Sequence, residues 1–150
     1  MNKETKPVVI EILGRQSFQG SKPESMELVT DGFYWGSDGK YTISYPESEM
    51  TGLAGTTTTF EVSGNSASLI REGTVNSHMI FEPGRKHLSL YDMGFGALTI
   101  GVDASKVRSN LSETGGTLEI DYKIEIEHII AGESSFLITV RESSDKTLVQ

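Results

Sequence analysis

The stretch TLEIDYKIEIEH, residues 117–128, carries the clearest structural signal in the chain. Its apolar side chains alternate strictly with charged ones, and the apolar positions are Leu118, Ile120, Tyr122, Ile124 and Ile126. A strict period of two is typical of a β-strand with one buried and one solvent-facing side. The alternation outlasts the usual strand of about five or six residues, which favours a tilted strand of a barrel.

Shorter segments repeat this alternation along the chain. They are residues 8–13, 25–30, 33–35, 40–45, 56–62, 67–71, 75–81, 87–93, 97–103 and 135–141. Turn-forming residues lie between them, as in Ser63-Gly64-Asn65 and Pro83-Gly84. No stretch has apolar residues at helical spacing over three turns, and the best candidate, residues 104–111, is short and contains two serines and an asparagine. The sequence therefore predicts an all-β protein.

Short turns between successive strands predict an antiparallel meander, because strands so connected usually pair with their neighbours in sequence. About eight to ten strands seldom stay in an open sheet, since unpaired edges promote aggregation and closure removes them. We therefore expect one barrel domain over residues 1–150, with residues 1–6 and 143–150 as flexible tails. A two-sheet sandwich is the alternative.

Composition narrows the class of protein. A chain of 150 residues that is 36% hydrophobic and 23% charged is expected to fold as one soluble domain. Its net charge of -8 argues against nucleic-acid and acidic-membrane partners, which need clustered Lys and Arg. The lack of cysteine excludes disulfides and cysteine nucleophiles. Since no signal-peptide-like or membrane-spanning apolar segment is present, we expect a cytoplasmic protein, and the oligomeric state stays open.

The alternation also predicts which side chains face the interior. The late strands give an apolar interior wall, formed by the five apolar residues of 117–128 together with Leu98, Ile100, Val102, Phe136, Ile138 and Val140. The middle strands are more mixed, because Thr56, Thr58 and Ser77 share faces with apolar residues. We therefore expect hydroxyl groups inside this part of the barrel.

Glu47 and Glu49 lie in YPESEMTG, residues 45–52, directly after a predicted strand. They can be interpreted as an acid/base pair or as ligands for a hard cation. Two glutamates on one loop are more often simply solvated, and we favour that interpretation. Residues 46–55 nevertheless form the longest predicted connection, and long connections often cover a barrel mouth or carry binding residues.

Arg71 shares a face with Leu69 and so raises two alternatives. If that face is interior, the guanidinium needs a partner such as Glu49 or Glu82 and can clamp an anion. Otherwise Ile70 points inward and Arg71 outward, which we favour because arginine is rarely fully buried.

His128 continues the apolar parity of Ile126. It is either a catalytic imidazole or, as we favour, a strand-end histidine bonded to a loop carbonyl. The three histidines lie on separate segments, so we expect neither a metal nor a cofactor.

An ordered set of motifs carries a family resemblance. It consists of DGFYW (31–35), YTISYPESEMTG (41–52), TTTTF (56–60), REGTV (71–75) and MIFEPGRKHLSLYDMGFG (79–96). Residues 31–101 with this set resemble the YwiB-like family of uncharacterised bacterial proteins. The chain departs from that family at Pro46, where an acid is common, and in the turn at residues 92–96. The resemblance implies a calycin-like β-barrel related in shape to lipocalins and lends no established activity.

Together these observations predict a barrel that binds a small molecule, and the resemblance to calycins implies a hydrophobic one. We expect no catalytic residue. The candidate ligand-binding residues, in the lumen or at its mouth, are Tyr45, Glu47, Glu49, Thr58, Arg71, Tyr91, Tyr122 and His128. One alternative is an enzyme with a carboxylate, arginine and histidine site at one barrel mouth. The other is a structural protein-interaction module.

Overall fold

The computed structural model describes residues 5–18, 20–92, 94 and 96–143. These residues form ten β-strands. In chain order they are β1 (Lys6–Phe18), β2 (Glu24–Ser37), β3 (Lys40–Pro46), β4 (Thr56–Ser63), β5 (Ser66–Gly73), β6 (Asn76–Phe81), β7 (Lys86–Asp92), β8 (Ala97–Ser112), β9 (Gly115–Ile126) and β10 (Ile129–Glu142). Among the described residues, no helix is long and apolar enough to cross a membrane.

The strands close into an antiparallel barrel. Each strand pairs with its neighbours in sequence, and β1 pairs with β10 to complete the ring. The closing register runs from Val8 opposite Glu142 to Phe18 opposite Gly132. The predicted meander barrel is confirmed, and the sandwich alternative is wrong because the closed ring leaves no separate second sheet.

Alternating side chains fill the middle of this barrel. The stretch that decided the prediction lies mostly in β9, where Leu118 and Ile120 are 0% exposed. Aromatic side chains from different strands meet inside: the rings of Phe81 and Tyr122 are 4.8 Å apart, and those of Phe60 and Phe136 are 5.8 Å apart. Side chains therefore fill the centre of the lumen, and no room remains there for a ligand.

Several strands are longer than the sequence predicted, most of all β1, β2, β8 and β10. β2 joins the predicted strands 25–30 and 33–35, because the chain stays extended through Gly32. β8 continues past residue 103 and includes residues 104–111, where the alternation was not recognised. A bulge between Ala104 and Lys106 shifts the inward positions there, so that Ala104 and Val107 are both buried. One extra residue in a strand breaks a period-two pattern without ending the strand.

The predicted tails lie largely beyond the described residues. β1 begins at Lys6, the last residue of the predicted N-terminal tail, and Lys6 is opposite Tyr34 of β2. The backbone N–H of Ser143 donates to the carbonyl of Pro7 at 3.4 Å. Residues 1–4 and 144–150, and Met93 at the end of a predicted strand, lie outside the described residues, so the predictions made for them stay predictions.

In an antiparallel meander, the connections that follow β1, β3, β5, β7 and β9 lie at the same end of the barrel, which we call the loop end. The connection after β3, residues 47–55, is the longest one there. It contains a short 3-10 turn, Glu49–Thr51, which begins after Ser48 and ends at Gly52 in a left-handed conformation. This connection covers part of the loop end.

Candidate functional site

A row of polar side chains crosses the interior of β3 to β7 near the loop end. Residues directly opposite one another in antiparallel strands point to the same face of the sheet. The paired positions follow in order across five strands, and the members are Tyr45, Thr58, Arg71, Ser77 and Tyr91. Three of them are almost fully buried, since Tyr45, Thr58 and Ser77 are 4%, 0% and 9% exposed. We call this set the polar row, and it confirms that hydroxyl groups enter the middle strands.

Arg71 lies on the interior face, so the favoured prediction that it points outward is wrong. On β5, Ala67 and Leu69 are buried and set the inward parity of the strand, which Arg71 continues. Ile70 lies on the opposite face and is half-buried. The general rarity of buried arginine did not outweigh the register set by the apolar residues, and the position near the strand end leaves Arg71 half-buried rather than enclosed.

The predicted partners of Arg71 are also wrong. Glu49 is exposed in the 3-10 turn, and Glu82 lies 3.0 Å from Nε2 of His87. Among the described residues, no carboxylate forms an ion pair with the guanidinium, and its buried Nε has no hydrogen-bond partner. The positive charge of Arg71 is therefore unpaired at this end of the barrel.

Glu47 ties the long connection to the polar row. Its carboxylate accepts hydrogen bonds from Oγ1 of Thr58 at 2.5 Å and from Oγ1 of Thr51 at 2.8 Å. Its backbone N–H donates to the carbonyl of Thr56 at 2.8 Å. One glutamate of the predicted pair thus has a structural place in the interior, whereas the other, Glu49, faces solvent.

Substitution of Thr58 by valine is expected to lower the free energy of unfolding by about 1–2 kcal/mol, because it deletes a buried hydrogen bond to a carboxylate while keeping the shape of the side chain. Chemical denaturation measures this loss. Thr57→Val on the exposed face of β4 is the matched control and should change stability by less than about 0.5 kcal/mol. Equal losses in both variants would contradict a role for the bond to Glu47.

Two buried tyrosines flank Arg71. Burial raises the pKa of Tyr45, the nearby carboxylate of Glu47 raises it further, and the charge of Arg71 opposes both effects. Burial also raises the pKa of Tyr122, while a hydrogen bond with Ser134 and the charge of Arg71 act in the opposite direction. The charge of Arg71 acts on both hydroxyls, so Tyr122 adds a β9 residue to the surroundings of the polar row.

Alkaline pH is expected to destabilise the fold. Tyr45 and Tyr122 are more reluctant to lose their protons when folded, so above their ordinary pKa of about 10 the folded state binds more protons than the unfolded state. The free energy of unfolding should therefore fall by roughly 1 kcal/mol per buried tyrosine between about pH 10 and about pH 11. Denaturation curves over this range measure the fall, and Tyr45→Phe should make it shallower. A stability that stays constant up to about pH 11 would contradict this prediction.

His128 does not join the polar row. It is exposed in the turn between β9 and β10, where its backbone has a positive φ of 69°. Of the predicted ligand-binding residues, the structure brings together Tyr45, Glu47, Thr58, Arg71, Tyr91 and Tyr122, and it leaves Glu49 and His128 exposed. Ser77 and Ser89 were absent from that set. On β7 the apolar Leu88 and Leu90 are exposed, so Ser89, which alternates with them, faces the interior.

A cavity of about 260 Å³ opens beside this cluster. Thr51 of the long connection lines it from the loop end, and apolar and polar side chains of the barrel wall line the rest. The wall residues are Gly14, Arg15, Gln16, Glu24, Ser25, Met26, Ser134, Ser135 and Phe136. Phe136 also stacks on Tyr122, with ring centroids 6.1 Å apart. The cavity and the polar row are thus linked through Thr51 and Glu47 on one side and through Phe136 and Tyr122 on the other.

A larger, open cleft of about 810 Å³ lies partly on the outer face of β1, β9 and β10. Charged side chains of both signs line it, including Arg15, Asp121, Lys123 and Glu133. The two openings share six lining residues, including Arg15 and Glu24, so charge alone does not separate them. The smaller cavity is the better candidate site because it is more enclosed and because Phe136 and Thr51 line it. In the part of the chain that the structure describes, no group of three or more His, Asp or Glu side chains is arranged to hold a metal ion.

A filled, closed meander with a polar cluster at one end defines the chain as a small closed β-barrel protein. The chain belongs to the family described as Domain of unknown function (DUF1934), whose model matches residues 10–138. It is 28% identical over 126 residues to the "Uncharacterized beta-barrel protein YwiB" of Bacillus subtilis (strain 168), which covers 84% of this chain and 86% of that protein. The family resemblance seen in the sequence is confirmed.

The same fold occurs in a solved structure. The "Crystal structure of ywiB protein from Bacillus subtilis" matches with a TM-score of 0.82 at 24% sequence identity, and the match covers 93% of both chains. At this identity the likeness supports the fold alone.

Proposed function

We propose that the protein binds a small molecule at the loop end of its barrel. The observation that carries this proposal is the cavity of about 260 Å³ between Thr51, the half-buried Phe136 and the exposed side chain of Met26. It lies where the filled centre of the lumen gives way to polar side chains. Its volume is slightly below the range of about 300–1,000 Å³ for sites of drug-sized ligands, so a ligand with few heavy atoms fits it.

Binding is favoured over catalysis by the placement of the ionisable residues. The enzyme alternative needs Glu47, Glu49, Arg71 and His128 at one mouth within hydrogen-bonding reach of one substrate. Glu49 and His128 are exposed on separate connections, and only Glu47 and Arg71 lie beside the polar row. A concave site lined by apolar and polar side chains together is instead the usual composition of a binding site.

The proposal includes the predicted likeness to calycins and the predicted cytoplasmic location. A small molecule is the proposed partner, and nucleic acids and membranes are not. The net charge of -8 supports the exclusion of nucleic acids, and the lack of cysteine is compatible with a reducing compartment.

A fluorescent apolar probe and a thermal-shift screen of small metabolites test the proposal. Met26→Trp fills the cavity and is expected to abolish saturable binding. Met50→Trp, on the same connection that covers the cavity but at a side chain that is 82% exposed, is the matched control and should bind like the wild type. The proposal fails if no compound shows saturable binding, or if Met26→Trp binds as well as the control.

A further inference from the structure

Three buried polar atoms without hydrogen-bond partners lie on adjacent strands at the loop end. They are Nε of Arg71 on β5, Oγ of Ser77 on β6 and Oγ of Ser89 on β7. Ser77 is directly opposite both Arg71 and Tyr91, and Ser89 lies two residues before Tyr91 on the same face. Buried polar groups are nearly always paired in native proteins, so a cluster of unpaired ones requires an explanation.

The chemistry of these atoms is complementary to an anion. The Nε–H of arginine donates only, and both serine hydroxyls are able to donate. An acceptor with two oxygens satisfies several such donors at once and also neutralises the unpaired guanidinium. A cation or a neutral donor does neither. The hydroxyl of Tyr122, on which the charge of Arg71 acts, extends the donor set, whereas that of Tyr45 is bonded to Glu47.

The pairing between β6 and β7 is interrupted within the closed barrel. β6 and β7 are paired at Asn76 with Asp92 and at Ser77 with Tyr91, and an isolated bridge joins Glu82 to Arg85. Between these two points, the described residues 78–81 and 86–90 are not paired with each other. Ser77 and Ser89 border this unpaired seam, where a continuous ladder does not hold the two strands together.

We infer that the ligand carries a carboxylate, bound by Arg71, Ser77 and Ser89 at the loop end of the barrel. This inference rests on the proposed function, since the carboxylate is the head group of the small molecule that we propose binds at the loop end. Glu47 decides between anions. The negative charge of Glu47 and the positive charge of Arg71 both act on Tyr45, so Glu47 repels a singly charged carboxylate at Arg71 less than it repels a dianionic phosphate. The ligand class is therefore a small organic acid.

Calorimetric titration with octanoate, octan-1-ol and octyl phosphate tests the head group, because the three share one apolar chain. Octanoate is expected to bind more tightly than both other compounds. In Arg71→Gln its Kd should rise about tenfold or more, as expected for the loss of a hydrogen bond between charged groups. In Ser77→Ala the Kd should rise by a smaller factor of roughly two to ten.

Arg85→Gln is the matched control, because Arg85 is exposed in the turn between β6 and β7, and it should leave the Kd unchanged. Thermal unfolding of each variant shows that the fold is retained. If octan-1-ol binds as tightly as octanoate, or if Arg71→Gln has no effect, the carboxylate site is refuted while the proposed function stands. Tighter binding of octyl phosphate also refutes the carboxylate assignment. If none of the three binds and the wider screen is negative, both proposals fail.

Discussion

Replacement of Phe81 by alanine is expected to lower the free energy of unfolding by about 3–5 kcal/mol, the largest effect of any substitution considered for this chain. Phe81 is 0% exposed on β6, and its ring centroid lies 4.8 Å from that of Tyr122 on β9. The ring therefore joins two non-adjacent strands of the barrel. Its removal forfeits apolar burial and leaves a cavity that a closed ring of strands cannot easily collapse to fill.

Denaturant unfolding monitored by circular dichroism measures this change. Phe33→Ala is the control, because Phe33 carries the same side chain on β2 but is 50% exposed. It should cost less than about 1 kcal/mol. If the two substitutions are equally tolerated, the centre of the barrel is not filled as described, and the site would have to be sought in the lumen rather than at its loop end.

Gly32→Ala is expected to lower the free energy of unfolding by about 3 kcal/mol through crowding. A Cβ at this position would lie 2.5 Å from Cδ1 of Ile10 and 2.5 Å from the carbonyl oxygen of Ser44. The second contact is to the backbone of β3, which cannot move without disturbing its pairing with β2 and β4. At Gly32, β2 passes so close to β3 that only the hydrogen atom of a glycine fits there.

Gly14→Ala is the matched control for Gly32→Ala. Gly14 is likewise buried, but a Cβ there would find its nearest neighbour, Cε of Met26, at an ordinary 3.8 Å. Alanine also restricts the unfolded chain, so this variant should keep its stability or gain up to about 1 kcal/mol. A loss in Gly14→Ala as large as that in Gly32→Ala would show that steric contact with Ser44 is not the cause.

The fold was predictable because its information is local. Alternation at Leu118 and Ile120 identifies a strand without knowledge of its partners, and short turns then imply the meander. The bulge near Ser105 was not predictable, because it inserts one residue that changes the inward parity of β8. Nothing in residues 104–111 themselves distinguishes a shifted strand from an irregular segment.

The candidate site was predictable in part for the same reason. Parity placed Tyr45 and Thr58 in the interior, and register then aligned them with Arg71. Parity alone could not decide which face of β5 was interior, so Arg71 was assigned outward. The pairing of Glu47 with Thr58 rather than of Glu49 with Arg71 depends on how residues 47–55 fold back, which no local pattern encodes.

Closure of the ring by β1 and β10 has a consequence for how the protein folds. These strands are far apart in the sequence, yet Ile10 of β1 must pair with Val140 of β10 before the barrel is complete. Contacts of such high sequence separation slow folding, because the chain loses much conformational entropy before the contact forms. During synthesis, the apolar face of β1 has to wait for almost the whole chain to leave the ribosome, so the nascent protein is expected to depend on chaperones until its last strand appears.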